Sequence, residues 1–154
     1  MNSEISLIEK KIEDTIDKYD MLKNVNSLIL GVSGGADSMA LLKFFEKFSK
    51  KWGLVIIAAH VNHCLRGKES DRDENFVREY CKKNDIKLEV LRVDVNKIAI
   101  ELKKGVEESA RELRYNFFYE LSAKYNGKIA TAHTLSDSVE TMLINLARGT
   151  GAAG

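Results

Sequence analysis

The stretch "LILGVSGGADSMALL", Leu28 to Leu42, decides the fold. An apolar run reads as a buried strand, and Met39 and Leu42 begin a helix-spaced pattern. Between them lie Gly34 and Gly35, flanked by Ser33 and Ser38. Glycine suits a tight strand-to-helix turn, because it tolerates positive φ and carries no Cβ. The missing Cβ atoms also let backbone N–H groups approach an anion, and the helix N-terminus adds a favourable dipole. The serine hydroxyls are donors, and Asp37 is placed to cap the helix or to hold a metal near phosphates. The same residues also make an ordinary capped turn with nothing bound. Two common phosphate loops are excluded. No lysine follows the glycines, as GK[ST] would require, and Gly31, Gly34 and Gly35 are wrongly spaced for GxGxxG.

Working outward, strands and helices alternate. A first helix is predicted over Ser3 to Tyr19, with Ile5, Ile8, Ile12 and Ile16 as its apolar stripe. The strand "SLILGV" precedes a helix from Ala36 to Lys51 that turns Met39, Leu42, Phe45 and Phe48 inward. "LVIIAAHV" is a second strand, continuous in apolar residues as in a parallel sheet. A helix over Glu69 to Lys83 carries Phe76, Val77, Tyr80 and Cys81 inward, and "KLEVLRVDV" is a third strand. Helices over Val95 to Leu102 and Val106 to Tyr125, the strand "GKIATAH" and a helix over Leu135 to Ala147 complete the order. The pattern predicts an α/β fold, a Rossmann-like three-layer sandwich around a mainly parallel sheet. Such sheets bind ligands at the carboxyl ends of their strands. The unusual polar residues fall there: Ser33 to Ser38, then His60 and His63, then His133 to Asp137.

The 154 residues suffice for a single domain with a core, and 44% hydrophobic with 31% charged residues is a globular composition. A net charge of +1 argues against a basic nucleic-acid arm, so RNA contact would need a local patch or another domain. No run approaches the ~18 apolar residues of a membrane helix, and "MNSEISLIEKKIED" lacks the apolar centre of a signal peptide. Cys64 and Cys81 read as reduced cytosolic thiols, which predicts a cytoplasmic protein. Proline is absent, and nothing in the sequence explains it. The end "LARGTGAAG" looks like a helix cap leading onward, the expectation being an N-terminal piece of a longer chain. The oligomeric state is open, a homodimer included.

Three further groups carry candidate chemistry. His60, His63 and Cys64 crowd one strand end, but a closed zinc site takes four ligands, so hydrogen-bonded histidines are the simpler reading. Arg111 and Arg114 are three apart and share a helix face, beside a stripe of Ala110, Leu113, Phe117 and Leu121. They fit phosphate recognition, or a solvated face with a Glu107–Arg111 pair worth only ~0.3–0.5 kcal/mol. Asp137 and Glu140 share a face as well, either as an acidic first turn or as partners for Mg²⁺ and an ammonium.

Four stretches together carry a resemblance: "SGGADS", "AHVNHCLRGKESDRDE", "EESARELRY" and "TAHTLSDSVETMLINLARGTG". The first resembles the SGGxDS loop of the PP-loop ATP pyrophosphatases. The set, in order and approximate interval, is similar to the tRNA(Ile)-lysidine synthetase family. The resemblance implies a single PP-loop ATP-binding catalytic domain over 1–154, with ATP and Mg²⁺ as cofactors. It implies tRNA(Ile) with a wobble cytidine and free L-lysine as partners, and no membrane. Ser33, Gly34, Gly35, Ala36, Asp37 and Ser38 would hold the pyrophosphate end of ATP, with His60, Arg114 and His133 also against the nucleotide. Asp37, Asp137, Glu140 and Arg111 would carry catalysis, with Asp37 and Asp137 as metal ligands. Ser136 stands where some relatives carry a first acid. Roles for His63, Cys64 and Arg66 stay open.

Overall fold

The computed structural model describes residues 2–133. The predicted last helix, with Asp137 and Glu140, lies outside the described residues. The elements are α1 (Asn2–Lys18), β1 (Ser27–Gly31), α2 (Ala36–Phe48), a 3-10 turn (Ser49–Trp52), β2 (Val55–Asn62), α3 (Lys68–Lys83), β3 (Lys87–Arg92), α4 (Val95–Leu102), α5 (Val106–Tyr125) and β4 (Lys128–Thr131).

Among the described residues the strands form one parallel sheet in the order β3-β2-β1-β4. Strand side chains alternate between faces, and both faces are covered. Leu28, Leu30 and Ala58 pack on one side with Ile16 of α1, Leu42 and Phe45 of α2, and Val77 and Cys81 of α3. Ile29, Ile57 and Ala59 pack on the other with Phe118 and Leu121 of α5. Ile29 and Ile57 are fully buried, and each such side chain contributes about 1.5–3 kcal/mol. Gly31 allows the close approach of α5, since a Cβ there would sit 2.8 Å from the Phe118 ring.

The strand order places the site. From β1 the chain steps outward to β2 and β3, then returns to lay β4 on the opposite side of β1. The order reverses between β1 and β4, and the crevice beyond the carboxyl ends at such a reversal is where open parallel sheets bind ligands.

Two expectations about facing are corrected. Of the isoleucine stripe on α1 only Ile16 is buried, while Ile5, Ile8 and Ile12 are exposed. The helix is attached instead by its acidic stripe. Glu9 and Glu13 accept from Lys47 and Lys51 at 2.7 and 2.6 Å, and Asp17 accepts from the Trp52 indole at 3.1 Å. Phe76 is exposed because the buried line of α3 runs through Glu74, Val77 and Cys81, and Phe76 falls off that line. The third strand ends at Arg92, since Asp94 already caps α4 by accepting from the Lys97 N–H. The long second helix tightens into the 3-10 turn and stops at left-handed Gly53.

Candidate functional site

A cleft of about 310 Å³ opens at this reversal, between the loop after β1, the end of β2, α5 and the end of β4. Ser33, Gly35, Ala36, Asp37 and Ser38 form one wall. The loop is braced from within. The buried Ser38 hydroxyl donates to Gly35 O at 3.0 Å and accepts from the Ser33 N–H at 3.1 Å. The Ser33 hydroxyl lies 3.1 Å from it and accepts from the Gly35 N–H at 3.3 Å. Gly34 does not line the cleft. It has φ +94°, and a Cβ there would press on Asp73 of α3 at 3.3 Å. Among the described residues no side chain caps α2. Its first-turn N–H groups therefore lack intrahelical acceptors and face the cleft end of the helix. Asp37 sits on that turn, exposed.

The opposite wall is basic and unpaired. Arg114 lines the cleft, and its Nε is buried with no partner among the described residues. Burial pushes its pKa down; the Tyr115 hydroxyl opposes this and neighbouring Arg111 adds to it. Both guanidiniums lie near the Tyr115 ring, at 5.5 Å for Arg111 and 5.8 Å for Arg114. No Glu107–Arg111 ion pair forms among the described residues. A cation left unpaired in a cleft suits an anionic ligand.

The histidines divide. His60 is buried, and its Nδ1 donates to Val32 O at 2.7 Å, locking the loop's first strand to β2. Burial pushes its pKa down, and its Nε2 has no partner among the described residues. The cleft wall is made by His63, not His60. His133 also lines the cleft, with Nδ1 2.8 Å from the Thr131 hydroxyl. Cys64 is exposed, and no group of three potential metal ligands forms among the described residues. Thus Ser33, Gly35, Ala36, Asp37, Ser38, Arg114 and His133 converge on one cleft. Gly34 and His60 lie behind it, Arg111 stands beside Arg114 across Tyr115, and Asp137 and Glu140 fall outside the described residues.

One polar cluster escaped the sequence reading. Glu74 is buried, accepts from Asn62 Nδ2, Arg78 and Arg92, each at 2.8 Å, and Arg92 also reaches Asp71 at 2.7 Å. The available signal was Asn62 at the end of a buried strand, where an amide needs partners. Burial alone would raise the Glu74 pKa, but hydrogen bonds from Asn62 and Arg78 and the charge of Arg92 outweigh it and hold the carboxyl low. A depressed carboxyl pKa adds stability above its unfolded value and loses it as pH falls through the folded one. Glu74→Gln should therefore cost about 1–3 kcal/mol at neutral pH. In acid the difference from wild type should shrink. Urea unfolding at several pH values checks this, and a gap that widens in acid would contradict it.

The chain is similar to known proteins along nearly all of its length. The PP-loop domain family matches residues 5–154. The tRNA(Ile)-lysidine synthase of Clostridium tetani is 46% identical over 92% of this chain and 30% of its own length. That of Petrotoga mobilis is 47% identical over 95% of this chain and 47% of its own. The chain thus spans 30% and 47% of the length of these two relatives, less than half of each. Among solved structures, a U34-tRNA thiolase from Methanococcus maripaludis with its [4Fe-4S] cluster superposes with TM-score 0.69 over 94% of this chain and 50% of its own. At 20% identity that likeness is one of fold.

Proposed function

The chain belongs to the PP-loop domain family, and from that premise we propose that it carries the ATP-binding catalytic part of a cytoplasmic tRNA(Ile)-lysidine synthase. The proposed reaction is a carbon–nitrogen ligation in two steps. The C2 oxygen of the wobble cytidine attacks the α-phosphate of ATP and pyrophosphate leaves. The neutral lysine amine then attacks C2, and AMP departs with the oxygen to leave lysidine.

The observation that carries the reading is the 46–47% identity to relatives of that name over more than nine-tenths of the chain. The cleft supports its first step. Beside the braced glycine loop, the open α2 N-terminus offers backbone donors to departing pyrophosphate, opposite unpaired Arg114. No lysine reaches from this loop to a γ-phosphate, in keeping with cleavage at the α-phosphate. Exposed Asp37 fits Mg²⁺, which takes one or two carboxylates with substrate phosphates; the cation would supply neutralisation of the polyphosphate. Asp137 is the second metal candidate and Glu140 the partner for the lysine ammonium, both by resemblance. Arg111 is assigned to polyphosphate or RNA, and His133 to the nucleotide.

The test is transfer of labelled lysine into tRNA(Ile) by the full-length protein with ATP and Mg²⁺. Label should enter the RNA with one AMP released per lysine. Label that stays out while a sulfur donor enters would move the protein to the thiolases. That second reading has the fold likeness behind it, but Cys81 lies in the core and Cys64 is the other thiol of these 154 residues, short of a cluster's usual four. ATP binding without ATP–pyrophosphate exchange under any lysine and tRNA combination would leave only a binding module.

A further inference from the structure

His63 lines the cleft, yet neither ring nitrogen has a hydrogen-bond partner among the described residues, and Nδ1 is fully buried. Nε2 is therefore the nitrogen open to the cleft. A buried orphan N–H is the rarer of the two unsatisfied states, so the proton is assigned to Nε2, and in that tautomer the ring presents a donor.

The backbone beneath this ring is held firmly. The Cys64 N–H donates to Asn62 Oδ1 at 2.9 Å, which fixes Cys64 in a left-handed conformation at φ +54°. The Asn62 amide in turn donates to Glu74 at 2.8 Å, and the Val95 N–H donates to His63 O at 3.3 Å. A donor held in one place without a partner is a preorganised recognition element.

The surroundings select what it reads. A phosphate favours a cationic imidazole. Here burial first, then the charge of Arg114, then His60, push the His63 pKa down and keep the ring neutral. The wall that His63 shares with β2 and α5 is apolar at Ala59, Val61 and Phe118, which suits a base or sugar rather than a polyphosphate.

We propose that His63, aimed by the Asn62–Glu74 clamp, donates a hydrogen bond from Nε2 to an uncharged acceptor on the nucleoside half of the bound nucleotide. It thereby separates ATP from bare polyphosphate. The inference rests on the ATP reading given above and adds the residue that reads the uncharged half.

The experiment measures dissociation constants of the full-length protein for ATP and for inorganic tripolyphosphate, in wild type, His63→Ala and His63→Gln. His63→Ala should weaken ATP about 3- to 10-fold, the size of one neutral hydrogen bond, and leave tripolyphosphate unchanged. His63→Gln retains a neutral N–H donor and should recover part of the loss; it also keeps the test alive should the alanine variant not fold. Equal weakening of both ligands would make His63 a phosphate contact, and unchanged ATP affinity would make it a wall residue; either overturns the proposal. A folded wild type that binds tripolyphosphate but no ATP removes the nucleotide reading itself.

Discussion

Asp37→Ala is expected to lower lysine transfer by at least about 10²–10³-fold, the scale seen when one preorganised electrostatic group is removed, with almost no loss of stability. The separation follows from the position of the side chain. Asp37 is exposed on the first turn of α2 and makes no hydrogen bond or ion pair among the described residues. The fold gains from it only the favourable field of the helix N-terminus, ~0.3–1 kcal/mol. The loop does not depend on it, because Ser33, Ser38 and Gly35 brace one another. In the proposed reaction the same carboxylate holds Mg²⁺ against the polyphosphate. Asp37→Asn keeps the shape and loses the charge, so it should fail nearly as badly, and raised Mg²⁺ should rescue it little. Turnover and thermal unfolding of the two variants side by side are the measurements. Near-normal turnover in either variant would strike Asp37 from the metal site and leave it a first-turn acid that only favours the helix dipole.

The fold was legible from "LILGVSGGADSMALL" outward because its signals are local. Continuous apolar runs announced buried parallel strands, and the paired glycines announced a tight strand-to-helix turn. What escaped was long-range. The isoleucines of α1 look like a core stripe, but Glu9, Glu13 and Asp17 find Lys47, Lys51 and Trp52, and that pairing across 35 to 38 residues turns the helix. His60 and His63 are three apart on one strand end, and the resemblance put His60 against the nucleotide while leaving His63 open. The choice is made by Val32 O, which takes the Nδ1 proton of His60 and leaves His63 to the cleft. The Asn62–Glu74–Arg92 cluster joins two strands and a helix, so none of its members is conspicuous in its own segment. Catalytic-looking polar residues stand out by where the strands end; the groups that hold them in place do not.

Arg114 offers the sharper separation of fold from function, because its removal should help one and ruin the other. Arg78 and Arg92 each meet Glu74 at 2.8 Å, whereas Arg114 keeps a buried Nε without any partner among the described residues. An unmet buried polar atom costs about 1–3 kcal/mol. Part of that is screened here, since the residue is only partly enclosed and its guanidinium lies near the Tyr115 ring. Arg114→Met fills the same space with an unbranched apolar chain, so the ligand-free protein should gain about 1 kcal/mol, or ~2–4 °C in Tm for a domain of this size. Lysine transfer should fall by about 10²-fold or more, with weaker ATP binding. Arg114→Lys should not restore it, because an ammonium lacks the planar fork that grips phosphate oxygens from the side. ATP should also raise the Tm of wild type more than that of Arg114→Met, since only wild type gains a partner for the cation on binding. A variant that melts lower than wild type and still transfers lysine would show Arg114 to be a structural residue, and the anion-binding character of the cleft would then rest on the glycine loop and the α2 N-terminus alone.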